Sequence, residues 1–216
     1  MRNFSKHNFV ILSSKLASLM DYKYLFLGFL LTGFVSCSNE DSLQGDVYFK
    51  NQQYQEAVQA YTDYLKIKPR HIKSLYNRGR SYQELEKYDL AIEDFKAVLK
   101  LDPRNESAFL SIGQEMYRNE DYKSTLYYCD HVIDLNKSSS MAYYLKARSL
   151  HKQGKFRDAM QNYDKAINLE PEMGDAYLHR GALNLLMKKG TEACNDLKKA
   201  ASLNVEGAQE ALEMNC

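Results

Sequence analysis

This 216-residue chain lacks the compact motifs that carry catalysis. It has no glycine-rich phosphate loop and no GxSxG elbow to expose a nucleophilic serine. Its five histidines (His7, His71, His131, His151 and His179) show no i, i+4 pairing, no HExxH and no CxxC spacing, so metal ligation has no framework. Charge of neither sign is in excess, with 29 Lys and Arg against 28 Asp and Glu. A nucleic-acid partner would need a basic stripe that this balance does not provide. The one markedly apolar run, Tyr24 to Val35, is shorter than the roughly 20 residues of a membrane-spanning helix. Proline is scarce: there are three, and all of them (Pro69, Pro103, Pro171) fall at one position of a period. These absences predict no catalytic residues, no cofactor and no metal.

What is present is a period of 34 residues, in blocks 38–71, 72–105, 106–139, 140–173 and 174–207. One column of the unit holds Gly45, Gly79, Gly113, Ala147 and Gly181. A second holds Ala57, Ala91, Thr125, Ala159 and Ala193, and a third Tyr61, Phe95, Cys129, Tyr163 and Leu197. Antiparallel helices approach closely only where a side chain is nearly absent, so the small columns mark crossings. Large residues fill the space beside them: Tyr48, Tyr82, Met116 and Leu150 in one row, Leu65, Leu99, Ile133 and Ile167 in another. Proline, lacking a backbone N–H, suits a helix stop between units. A fixed period of this length predicts stacked helix pairs that bind along a surface.

These columns resemble the tetratricopeptide repeat (TPR) family over about four fifths of the chain. Block 72–105 carries the fullest set, with Leu75, Gly79, Tyr82, Tyr88, Ala91, Phe95, Leu99 and Pro103. The resemblance implies an all-α fold: a right-handed superhelical solenoid of about five helix pairs over residues 42–216, closed by a capping helix over 206–216. Departures bear on single units. Asp41 and Gln44 replace apolar residues, so the first helix is expected to be frayed, late-starting or a polar cap. Thr125 and Lys137 replace alanine and proline, and Asn184 and Gly190 stand where aromatics are usual.

In such solenoids the first helices of the pairs line a concave wall. Carried over, this implies Lys73, Tyr76, Arg80 and Gln83 from the second unit, and Leu110, Gln114, Tyr117 and Arg118 from the third. The fourth contributes Met141, Tyr144, Arg148, His151 and Lys152, and the fifth Asp175, Leu178 and Leu185. Tyrosine and arginine dominate interface hot spots, and a cationic, aromatic groove suits an extended peptide with acidic groups or a terminal carboxylate. The alternative is a set of solvated helix faces with tyrosines packed between units. The peptide clamp of cytosolic chaperone co-factors is not reproduced: Lys73 and Asn77 are present, but Leu110 and Ser111 stand where partners would be. His151 and His179 are expected at different heights, and the acidic residues read as solvated surface charge.

The N-terminal segment ends in Phe34-Val35-Ser36-Cys37 before polar Ser38-Asn39-Glu40-Asp41, which resembles the lipobox of a bacterial lipoprotein. It implies cleavage before a lipid-modified Cys37 and a tether over 37–41. Acyl chains contribute about 0.8 kcal/mol per buried CH₂ to such an anchor. Met20-Asp21-Tyr22-Lys23 followed by the apolar run makes a complete signal peptide over 20–36, so translation is expected to start at Met20, with 1–19 an upstream extension. The alternative is an uncleaved anchor with an incidental cysteine. Losing residues 1–36 removes Arg2, Lys6, Lys15, Lys23 and Asp21, leaving 25 basic against 27 acidic residues, a net −2. Ser38 after the cysteine points to the outer membrane, and Glu40-Asp41 resembles surface-export signals of some Bacteroidetes lipoproteins, which leaves both periplasmic and exposed faces open.

Of the other cysteines, Cys129 occupies a core column and reads as a small buried hydrophobe. Cys194 near the start of the last second helix and Cys216 at the chain end would meet if those helices pack antiparallel. In an oxidising compartment the pair is expected as a disulfide, the alternative being two free thiols. The segment from Ala193 to Cys216 also resembles the C-terminal end of many TPR lipoproteins of Bacteroidetes-like bacteria. Together these readings predict a membrane-anchored adaptor or scaffold lipoprotein that binds a protein or peptide at the bacterial cell envelope. The alternatives are a self-associating structural envelope protein and an accessory factor of outer-membrane protein assembly. Oligomeric state is not legible.

Overall fold

The computed structural model of the chain describes residues 40–216, with side chains from Gln44 onward. The readings of Met20, the signal peptide and Cys37 lie outside these residues. Among the described residues there are eleven helices and no strand: α1 Glu40–Lys50, α2 Tyr54–Ile67, α3 Ile72–Glu84, α4 Tyr88–Leu101, α5 Glu106–Arg118, α6 Tyr122–Leu135, α7 Ser140–Lys152, α8 Phe156–Leu169, α9 Gly174–Leu186, α10 Gly190–Ser202 and α11 Ala208–Asn215. They form five helix pairs in a right-handed superhelical solenoid with a terminal helix. No described helix is long and apolar enough to cross a membrane.

Each pair closes through the same turn. In the second unit the Glu86 amide donates to the Gln83 carbonyl (2.9 Å) and the Lys87 amide to the Tyr82 carbonyl (2.8 Å). This double bond pattern satisfies the orphan carbonyls of a helix end and requires one left-handed residue. That residue is Gln52, Glu86, Glu120, Gly154 and Lys188 in turn, with φ between 57° and 73°. Glycine takes the position in one unit only, so the other four carry the cost of a side chain in left-handed backbone. Aromatic pairs brace three of the turns: Phe49–Tyr54, Tyr117–Tyr122 and His151–Phe156, with ring centroids 5.5 to 5.9 Å apart.

Inside the pairs the small and large columns face each other. A Cβ on Gly45 would come within 2.5 Å of the Tyr61 ring, and one on Gly79 within 2.7 Å of Phe95. Ala57, Ala91, Thr125, Ala159 and Ala193 have no exposed surface, and neither do Tyr61, Phe95 and Tyr163. In the third unit the large column holds only Cys129, and a Cβ on Gly113 would meet Tyr128 instead, at 3.3 Å. Burial pushes the Cys129 thiol up to about 12, aided by Asp130, which leaves it unreactive. Thr125 sits in an alanine column by returning its hydroxyl to the Asp121 carbonyl (2.9 Å).

The acidic residues are not all solvated. Asp94 and Asp196 are each 5% exposed. Arg78 holds Asp94 through two bonds (2.8 and 2.7 Å) and reaches back one unit to Thr62 (3.2 Å). Arg180 repeats this with Asp196 (3.0 and 2.6 Å) and Asp164 (2.6 Å). The buried Asn184, which replaces an aromatic, also donates to Asp196 (3.1 Å). Each arginine thus ties its own pair to the preceding one.

At the chain end Cys194 and Cys216 are bridged, with their Cα atoms 5.8 Å apart, joining α10 to α11. The terminal helix starts at Ala208, later than the expected 206, because Gly207 adopts left-handed backbone (φ 74°) immediately before it. At the other end α1 reaches Glu40, so residues 40 and 41 of the expected tether are helical.

Candidate functional site

First helices α3, α5, α7 and α9 place their outward residues on one wall, and three adjoining cavities run along it. One of ≈ 420 Å³ is lined by Tyr76, Arg80, Gln83, Glu84, Ser107, Leu110, Ser111, Gln114 and Arg118. The next, ≈ 460 Å³, shares Gln83, Gln114 and Arg118 and adds Glu115, Tyr117, Leu145 and Arg148. The last, ≈ 420 Å³, shares Tyr117, Arg118 and Arg148 and adds Glu120, Tyr122, His151, Lys152, Tyr163 and His179. Shared lining residues make the three one continuous groove.

Most residues expected from sequence line this groove: Tyr76, Arg80, Gln83, Leu110, Gln114, Tyr117, Arg118, Arg148, His151 and Lys152. Lys73, Met141, Tyr144, Asp175, Leu178 and Leu185 do not line these three cavities. The Lys73 ammonium is bound to Asp46 at 2.5 Å, away from the cavities. Tyr144, 8% exposed, lies beneath Arg148 as a shelf.

The arginines are held by ring faces. Arg80 lies over Phe49 at 5.0 Å, Arg118 over Tyr88 at 4.4 Å, and Arg148 between Tyr117 at 4.4 Å and Tyr144 at 5.5 Å. A guanidinium over an aromatic ring gains about 0.5–2 kcal/mol and keeps its edge free for an acceptor. Below Arg118 the Glu115 carboxylate is 1% exposed; it accepts from Gln83 and pairs with Arg118 Nε at 3.3 Å. The Tyr76 hydroxyl meets the Ser111 hydroxyl at 3.4 Å.

The two ends of the wall differ in polar satisfaction. At the first, Asp46 accepts from the Tyr61 hydroxyl (2.7 Å), Asn77 Nδ2 (2.9 Å) and Lys73 Nζ (2.5 Å). Burial pushes the Asp46 carboxyl up, but these three donors and the Lys73 charge outweigh it and hold it below its ordinary value. At the far end the Tyr163 hydroxyl and Arg148 Nε are buried without a hydrogen-bond partner. A buried polar group left so costs about 1–3 kcal/mol. Burial and the Arg148 charge bring His179 down to about 4, so it is neutral near pH 7. His151 is also lowered, by burial and then by Lys152.

His151 and His179, on the first helices of adjacent units and expected at different heights, both line the last cavity. The sequence reading also missed Tyr163, because its ring belongs to the core column while its hydroxyl faces the wall. Its recurrence with Tyr61 was the signal that could have found it. Among the described residues no cluster of three or more His, Cys, Asp or Glu could hold a metal ion.

The tetratricopeptide repeat profiles match residues 43–71 and 72–105, a TPR repeat profile matches 147–190, and that of anaphase-promoting complex (cyclosome) subunit 3 matches 95–166. No curated protein matches the chain significantly. Among solved structures it is similar to PilW, a widely conserved type IV pilus biogenesis factor (22% identity, 77% of this chain and 77% of that one, TM-score 0.70). It is similar to YrrB, a TPR protein with an unusual peptide-binding site (19%, 82% and 92%, TM-score 0.63). A tetratricopeptide repeat protein from Parabacteroides merdae ATCC 43184 covers more of the chain (21%, 96% and 82%, TM-score 0.65).

Proposed function

Because the chain is a tetratricopeptide repeat protein, we propose that it is an adaptor whose concave groove holds an extended segment of a protein partner at the bacterial cell envelope. The carrying observation is the continuous groove on α3, α5, α7 and α9, in which Arg80, Arg118 and Arg148 are presented on aromatic rings. Ring-held cations lose little side-chain freedom on binding, which favours acidic or carboxylate-bearing segments. Similarity to a TPR protein with a peptide-binding site and to a pilus biogenesis factor supports a scaffold role over chemistry.

In this reading Cys37 carries the lipid, Met20 is the start, and the solenoid hangs from the outer membrane on either its periplasmic or its exposed face. N-terminal sequencing of a precursor blocked in signal cleavage tests the start: a product carrying residues 1–19 would overturn it. Protease shaving of intact cells separates the two faces.

In-cell crosslinking tests the groove. The wild-type chain is expected to recover a partner that the triple variant Tyr76→Ala, Arg80→Ala, Arg148→Ala does not. Unchanged recovery would overturn the groove reading. A concentration-dependent dimer surviving the triple change would favour self-association through the second helices, which expose Leu90 and Tyr127.

A further inference from the structure

The first helices of units two to five start one period apart, at Ile72, Glu106, Ser140 and Gly174, and α11 starts at Ala208, one further period on. The terminal helix therefore sits in the register of a sixth unit's first helix. It runs for eight residues against the thirteen of α3, α5, α7 and α9, and no second helix covers it among the described residues. Its seat is also reduced. Where a second helix meets the next first helix, units one to four carry Leu65, Leu99, Ile133 and Ile167, but the fifth carries Ala201. A methyl in place of a branched side chain removes much of the apolar area that such a contact buries. Within α11 only Ala208 is buried, and Met214 is 70% exposed.

The connection into α11 is seated up to a definite point. A Cβ on Gly174 would run into Val205 and come within 3.2 Å of Leu203, so the segment after α10 lies against the start of α9. Two residues beyond Val205, Gly207 takes left-handed backbone (φ 74°), and a Cβ on it would meet nothing within 4 Å. The seated segment thus ends at an unobstructed swivel. Past that swivel, the Cys194–Cys216 bridge ties the far end of α11 to α10. Cys216 is exposed and Cys194 half-buried.

We propose that this bridge is a redox latch. Oxidised, it holds α11 on α10 and closes the solenoid; reduced, residues 208–216 swing away about Gly207 while the five helix pairs stay folded. The reaction is exchange with a dithiol. One thiolate of the dithiol attacks Cys216 Sγ, a mixed disulfide forms, and Cys194 leaves as the thiolate. The second thiolate of the dithiol then breaks the mixed disulfide and frees Cys216. Two electrons and two protons pass to the cysteines, and the dithiol becomes its own disulfide. Cys129, buried in the third unit, takes no part. Release also acts on the wall. Cys216 stands in the column of Arg80, Gln114 and Arg148, so α11 is the last rung of the row of first helices, and the latch sets how far that row extends. It operates whatever the groove holds.

Amide hydrogen exchange read by mass spectrometry, on the intact chain before and after dithiothreitol, tests the latch. Reduction is expected to expose two thiols to alkylation in the folded protein and to speed exchange across 208–215 by about tenfold or more. Peptides from α9 and α10 should exchange as before, and reoxidation should restore the slow exchange of α11. Cys216→Ser should behave like the reduced wild type with or without dithiothreitol, which ties the change to the bridge. Three results would each overturn the latch. A bridge that resists dithiothreitol until the protein unfolds is out of reach of a reductant. Exchange in α11 that is unchanged by reduction makes the bridge idle. Exchange that also speeds up through α9 and α10 makes it a staple for the whole end. The comparison of oxidised with reduced wild type stands even where the variant fails to fold.

Discussion

The first two units and the last two share one backbone register, yet their two faces behave differently under the three-unit shift. Along the edge where units are tied together, Arg78–Asp94 with Thr62 becomes Arg180–Asp196 with Asp164. There the interaction recurs with the same sign. On the concave wall Asp46 becomes Arg148 and Lys73 becomes Asp175, so the sign reverses and the hydrogen bonds do not re-form. A tie between units is a stability requirement at both ends. The wall carries no such requirement, and one end closes on itself while the other keeps donors in reserve.

The comparison can be broken most forcefully at the edge. Arg78→Ala and Arg180→Ala each remove the cation from a buried aspartate, Asp196 keeping the Asn184 amide, and each should cost about 3 kcal/mol in urea unfolding. A large inequality between them would contradict the equivalence of the two ends. The far end should show its own pH dependence. An unfolded histidine titrates near pH 6.5 and His179 in the fold at about 4. Between those values the unfolded chain binds more protons, so stability falls as pH is lowered. The loss is on the order of 3 kcal/mol and complete once the pH is below the lower value. Melting curves of His179→Gln should be flatter across this window; an unchanged profile would remove His179 as the cause.

Removing the shared acceptor with Asp46→Ala leaves the Tyr61 hydroxyl, Asn77 and Lys73 without it and should cost about 2 kcal/mol. Arg148→Ala, which breaks no hydrogen bond at its Nε, should cost less, mainly through lost ring contact. The hydroxyls give the sharpest contrast. Tyr61→Phe deletes a made bond and should lose about 1 kcal/mol, whereas Tyr163→Phe deletes an unmade one and should stabilise the free protein slightly. Equal signs in denaturation would show the two ends to be alike. Smallest is the turn effect: Glu120→Gly relieves left-handed backbone and should gain roughly 0.5–1 kcal/mol, where Gly154 needs no such change.

Much of this architecture was legible in particular residues. Gly79 against Phe95, and the alanines of the second helices, are nearest-neighbour packing rules that a 34-residue recurrence displays directly. The wall was legible through Tyr76, Arg80, Tyr117 and Arg148 because they sit on the first helices. Lys73 and Tyr144 were legible as positions but not as environments. One is consumed by Asp46 from the preceding unit; the other is covered by Arg148 one turn on along α7 and enclosed by Tyr163 and His179 from the next two helices, which lie far off in sequence. The buried state of Asp94 and Asp196 was also hidden, since an acidic residue on a helix looks the same whether or not an arginine sixteen positions earlier folds over it.

By itself the sequence determined the repeat, the pairing of small with large residues and which residues the first helices present on one wall, since each depends on spacing along a helix or between adjacent helices. Only the tertiary structure decided which polar groups are left over. That outcome depends on three helices at once: α7 supplies Arg148, α8 the Tyr163 hydroxyl and α9 His179. Their meeting point is set by the superhelical offset between units, and no pairwise periodicity records it.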